Sequence, residues 1–233
     1  MVMSISFHNG TILTSYCLAL HTLFMPSTRL DELFALAEEQ DGLFTSKEAR
    51  SLGIQDSVLV RLRQRGRLER MSRGVYRIAH YPTERLAQYR EAILWAQASS
   101  GPELIALSHE TALLLYGISD VNPSRVNLTV PVSARMRRVH PKWIAIHRAN
   151  LAKEDIQLHE GMPVTTVERS ILDVQAATRR TDFARQAIID ALRKGLLTPA
   201  QASSLRKRIN PPSRSSFLST NASKVEMNEP STT

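Results

Sequence analysis

The chain has 233 residues, of which 42% are hydrophobic and 22% charged, with a formal net charge of +8. That length holds one large domain or two small ones, and the hydrophobic content is ordinary for a packed core and does not indicate global disorder. A single cysteine, Cys17, excludes an internal disulfide framework and a cysteine-rich zinc site and fits a reducing, cytoplasmic setting.

No run of about 18 apolar residues offers a membrane span. Residues 1–26 read as a disordered extension. The first 25 contain no Lys or Arg, and His8, Asn9 and His21 interrupt them, unlike a secretory signal with its basic region and compact apolar core. Met25 is the expected natural start.

Residues 29–40 place Leu30, Leu33, Phe34, Leu36 and Ala37 at near-helical spacing, and Asp41-Gly42 stops that helix. Thr45-Ser46-Lys47-Glu48 then forms a capping box that opens a short helix over 46–51, ended by Gly53. A second helix over 56–65 follows at the spacing of a helix-turn-helix. Its Val58, Leu59 and Leu62 face inward, leaving Gln55, Ser57, Arg61, Gln64 and Arg65 outside. Residues 68–78 read as two strands joined at Ser72-Arg73-Gly74, with Val75 and Ile78 on opposite faces.

Charge is concentrated here. Between residues 61 and 77 stand Arg61, Arg63, Arg65, Arg67, Arg70, Arg73 and Arg77 against one acid, Glu69. With a sequence pI near 10.1, the chain favours an acidic partner, nucleic acid before an anionic membrane surface. A winged helix-turn-helix over residues 27–81 accounts for both pattern and charge. Its reading helix would reach base edges with Gln55, Ser57, Arg61 and Gln64. Thr45, Ser46 and Lys47 suit phosphate contact, Arg63, Arg65 and Arg70 would neutralise backbone charge, and Arg73 tips the wing. The bland alternative is a solvated basic helix in a protein-binding winged domain.

Residues 82–209 read as a small mixed α/β domain. Helices are predicted over 83–99, with Leu86, Tyr89, Ile93 and Ala96 as its apolar row, and over 108–116, capped by Ser108 and closed by Gly117. Strands are predicted over 126–132 and 143–147, with Pro131 marking either a strand end or a sheet edge, and a short one over 162–164. Thr165 and Glu168 suggest another capping box for a helix reaching 177, and further helices cover 182–194 and 199–208, the last capped by Thr198. Residues 210–233 are rich in Pro, Ser, Asn and Thr and read as a disordered tail. The fold class is α+β.

No zinc-binding, Walker or nucleophile-elbow pattern is present, and neither a cofactor nor a metal nor an enzymatic activity is expected. The adjacent His109 and Glu110 point to different faces of a helix, and His109 reads as a hydrogen-bonded helix-start residue. His140 and His147 flank Trp143 in a segment better read as a basic face than as a metal site. Arg135, Arg137, Arg138, Lys142 and Arg148 form a second basic patch, which extends a DNA footprint, grips RNA, meets a partner or is merely a solvated loop. Tyr89, Trp95, Tyr116 and Trp143 are too scattered for a base-stacking platform and read as core or half-buried anchors.

The run GLFTSKEARSLGI…LVRLRQRGRLERMSRGVYRIA resembles the N-terminal domain of AbiEi-type antitoxins of type IV toxin–antitoxin systems. ALSHETALLLYGI, VNLTVP, WIAIHR and GMPVTTVERSILDV follow in the order that family shows, so the resemblance runs from Leu30 to Val174. It implies a bacterial transcriptional autorepressor that binds inverted repeats in double-stranded DNA of its own promoter. It further implies an antitoxin that counters a nucleotidyltransferase-type toxin without a stable complex. Similar N-terminal blocks also precede Vsr-like endonuclease domains, but no nuclease is expected here. The alternatives are a protein-interaction module, a regulator with no linked toxin using the same winged domain, or a remnant of a nucleic-acid enzyme whose catalytic half has been lost.

Overall fold

The computed structural model describes residues 28–83, 85–100, 104–136, 140–178 and 181–210. The expected N-terminal extension and C-terminal tail lie outside the described residues, apart from Asn210. The chain is a mixed α+β protein and falls into two compact units, the first ending at Thr83.

The first unit runs α1 (Arg29–Glu38), β1 (Leu43–Thr45), α2 (Ser46–Ser51), α3 (Asp56–Gln64), β2 (Leu68–Ser72) and β3 (Val75–Ile78). Its N-terminus is capped twice over, because Thr28 accepts from the Asp31 N–H while the Asp31 carboxylate accepts from the Thr28 N–H. Leu33, Ala37, Phe44, Ala49, Ile54, Leu59 and Leu68 form one buried core beneath α1, α2 and α3.

Strand β1 was not visible as a period. Its three residues are all buried, and it pairs antiparallel with β3, giving a three-stranded sheet in the order β1-β3-β2. A bulge between Arg70 and Ser72 shifts the β2–β3 register next to the turn. Within β3, Tyr76 and Ile78 pack on the core cluster, as alternation requires of residues two apart. Gly42 holds φ +77°, and the Tyr81 ring occupies the space a Cβ would need, so only glycine suits this turn.

The second unit contains α4 (Ala87–Ser100), β4 (Ala106–Leu107), α5 (His109–Tyr116), β5 (Val126–Val130) and β6 (Ile144–Arg148). A 3-10 turn at Lys153–Asp155 leads into β7 (Ile156–His159), β8 (Met162–Thr165), α6 (Val167–Thr178), α7 (Thr181–Arg193) and α8 (Pro199–Ile209). The sheet order is β6-β5-β4-β8-β7, with β5–β6 and β4–β8 parallel and the other two pairings antiparallel. Strand β4 is only two residues long, and β7, Ile156-Gln157-Leu158-His159, alternates apolar and polar residues over a stretch too short to stand out.

Pro131 ends β5, which lies between β4 and β6, so the edge-strand alternative does not hold. Two expected caps are corrected. Ser108 makes no side-chain cap on α5. The Thr165 hydroxyl turns inward to Leu107 O and Ser170 Oγ, and the hydroxyl at the start of α6 is that of Thr166, which accepts from the Arg169 N–H at 3.4 Å. The Thr198 cap of α8 is present as a full box with Gln201.

Candidate nucleic-acid interface

The helix pair is set by the box at Thr45. Its Oγ1 accepts from the Glu48 N–H at 3.2 Å, while Glu48 Oε2 accepts the Thr45 N–H at 2.7 Å and its hydroxyl at 2.8 Å. Gln40 Nε2 donates to the other Glu48 oxygen at 3.2 Å. Thr45 is therefore buried with its hydroxyl committed, and it positions α2 instead of offering an oxygen to a phosphate. Ser46 is half-buried, and its N–H donates to Gly74 O at 2.9 Å, tying the start of α2 to the β2–β3 turn. Lys47 is exposed.

On α3, Leu59 is fully buried, and Val58 and Leu62 pack on the same core. The opposite face is a row of Ser57, Val60, Arg61 and Gln64 at the spacing that lines up neighbours on one side of a helix, and all four are exposed. Gln55 occupies the N-cap position without a side-chain cap bond, which leaves its amide uncommitted to the helix. Arg61 and Arg63 in the last turn also complement the negative end of the helix dipole.

Arg63, Arg65, Arg67, Arg70 and Arg73 are exposed as well. Arg77 differs. Its Nε and Nη2 donate to Glu69 Oε2 at 3.2 and 2.5 Å, and its Nη1 donates to Thr83 Oγ1 at 3.2 Å. The one acid of the basic block is thus held by one arginine, and the other six face solvent on α3, the following turn and the hairpin. This surface can approach a polyanion with little opposing charge.

Residues 31–79 match the family model of the AbiEi antitoxin transcriptional regulators. The AbiEi match begins in α1 and ends just past β3, so it contains every element that builds this surface and gives the first unit a winged-helix-like assignment. No curated protein matches the chain. The crystal structure of RV2827C protein from Mycobacterium tuberculosis is similar at 16% identity and a TM-score of 0.43, over 78% of this chain and 72% of that one.

Beyond the AbiEi match, the second basic patch divides. Arg135, Lys142 and Arg148 are exposed, while Arg137 and Arg138 lie outside the described residues. Arg148 Nη1 donates to Ala134 O at 2.9 Å, which makes it a clasp on the chain after β5. His140 is exposed and His147 half-buried, on opposite sides of Trp143 in sequence.

His109 has a partner that its sequence position concealed. Its ring stacks on His147 with centroids 3.6 Å apart, and Ser108 Oγ lies 2.9 Å from its Nδ1. His147 Nε2 lies 2.9 Å from Asn127 Oδ1, and Thr129 Oγ1 donates to Ser108 Oγ at 2.7 Å. Burial, then the neighbouring His147 and Arg169, pushes His109 down to about 3, and burial followed by Arg125 lowers His147. Both rings are accordingly neutral near pH 7 and act as a hydrogen-bonded part of the core.

Arg169, on α6, bridges Asp155 at 2.9 Å and Asp173 at 2.8 Å along one groove. Burial raises the Asp173 carboxyl against the pull of Arg169. Among the described residues, no group of three or more His, Cys, Asp or Glu is arranged to hold a metal ion, and no helix is long and apolar enough to cross a membrane.

Proposed function

We propose that the chain is a DNA-binding transcriptional autorepressor and the antitoxin of a type IV toxin–antitoxin system in the bacterial cytoplasm. The observation that carries this reading is the coincidence of the AbiEi match with six exposed arginines around a polar helix face. Helix α3 enters the major groove, where Gln55, Ser57, Arg61 and Gln64 meet base edges. Ser46, Lys47, Arg63, Arg65 and Arg70 fix the register by contacting phosphates, and Arg73 carries the wing contact. The bound DNA is an inverted repeat in the chain's own promoter.

The second unit supplies the antitoxin half of the activity against a nucleotidyltransferase-type toxin, without a lasting complex and without a catalytic step of its own. Mobility-shift binding to DNA upstream of its gene tests the regulatory half. Binding there must exceed binding to random duplex at moderate salt, and equal affinity for the two overturns it. Co-expression with the product of a neighbouring toxin gene tests the other half, with restored growth as the expected result and unrelieved arrest as the contrary one.

A further inference from the structure

We infer that Val60 reads the methyl group of a thymine in the operator, beside the base met by Arg61. The inference rests on the DNA-binding reading above and adds a base to it.

Val60 is 43% exposed, and among the described residues it is the only large hydrophobic side chain so exposed in the first unit. Every other exposed position of α3 is polar or charged: Asp56, Ser57, Arg61, Arg63 and Gln64. A β-branched residue on a solvent-facing helix position brings neither packing nor helix propensity. The apolar stripe that holds α3 in place is Val58, Leu59 and Leu62 on the far face, so Val60 does not serve the core.

Its neighbours say what it can meet. Val60 sits between Ser57 and Gln64 in the outward row and next to Arg61, on a surface ringed by arginines. A lone isopropyl group there is too small a patch for protein docking. Charge complementarity selects a polyanion, and the apolar feature that a base edge offers in the major groove is the thymine C5 methyl. Arg61, one residue on, is suited to the O6 and N7 acceptors of a guanine. The site is therefore expected to pair a thymine with an adjoining guanine in each half.

The test uses the full chain and the upstream duplex, with thymines replaced one at a time by deoxyuridine, which removes only the methyl. At one thymine in each half-site the wild type should lose affinity about fourfold, the ratio expected for one buried methyl group. Val60→Ala should bind the thymine and deoxyuridine duplexes equally, with an unchanged salt slope. A wild type indifferent to deoxyuridine at every thymine, or a Val60→Ala variant that keeps the same ratio, overturns the inference while leaving sequence-specific binding intact. If the wild type shows no preference for the upstream duplex at all, the underlying reading and the inference fall together.

Discussion

Arg77 holds Glu69 across the hairpin, through two nitrogens on one carboxylate oxygen, and so removes the only negative charge from the basic block. The two are direct cross-strand partners of β2 and β3. An opposite-charge pair so placed contributes about 0.2–1 kcal/mol, and its partial exposure keeps it in that range. Glu69→Gln should lower the stability of the first unit by that amount in chemical denaturation. DNA affinity should hold or rise, since a negative charge has gone.

Arg61 and Arg73 should fail in different ways. If Arg61 reads a base, Arg61→Ala costs about 1–3 kcal/mol on the specific duplex and little on random DNA. Arg73→Ala should weaken binding to both and flatten the slope of log affinity against log salt by about 0.9. Titrations at several salt concentrations on both duplexes separate the two. Wild-type binding by both variants would refute this interface.

The buried Thr45 should matter for folding and not for phosphate binding. Thr45→Ala leaves the Glu48 N–H without its cap and takes the hydroxyl donor from the Glu48 carboxylate, a loss of about 1–2 kcal/mol. The salt slope of DNA binding should stay at its wild-type value once the protein is folded. A flattened slope would return Thr45 to the phosphate-contacting set.

His109 makes acid stability measurable. Its folded pKa, about 3, lies below the ordinary 6.5, so the unfolded chain binds the extra proton as pH falls between those values. Stability linked to this group is complete above 6.5 and is lost on acidification, at up to about 1.4 kcal/mol per pH unit for one proton. His109 also has φ +54°, a left-handed conformation that asparagine tolerates. His109→Asn should therefore fold and show a shallower decline between pH 6 and 4, against which His147 still titrates in the same direction. Equal slopes in the two proteins would mean that the ring is protonated in the folded state.

Much of the first unit is legible locally. The Thr45–Glu48 box, Gly53 and the Val58-Leu59-Leu62 stripe each depend on residues within a few positions, and the short helix over 46–51 stands where those signals put it. Val60 was open to the same reasoning, because it follows Ser57 by three and precedes Arg61 by one. It escapes notice only when a polar face is read for its polar members. Strands β1 and β4 carry no such signal, and β7 alternates apolar and polar residues over only four positions. Three buried residues and a dipeptide become strands because β3 and β5 offer them hydrogen-bond partners, and the short alternating run of β7 is fixed as a strand by its pairing with β8.

The sequence by itself therefore determined the helix–turn–helix order, the crowding of arginine between residues 61 and 77, and the general α+β character. Those follow from capping, helical period and charge, which act over short distances along the chain. Tertiary structure alone decided that Thr45 is buried, that Ser46 is tied to Gly74, and that His109 stacks on His147. It also paired Arg77 with the block's single acid. Each of these depends on which segments the core brings together, and that choice is made by burial of surfaces far apart in the chain.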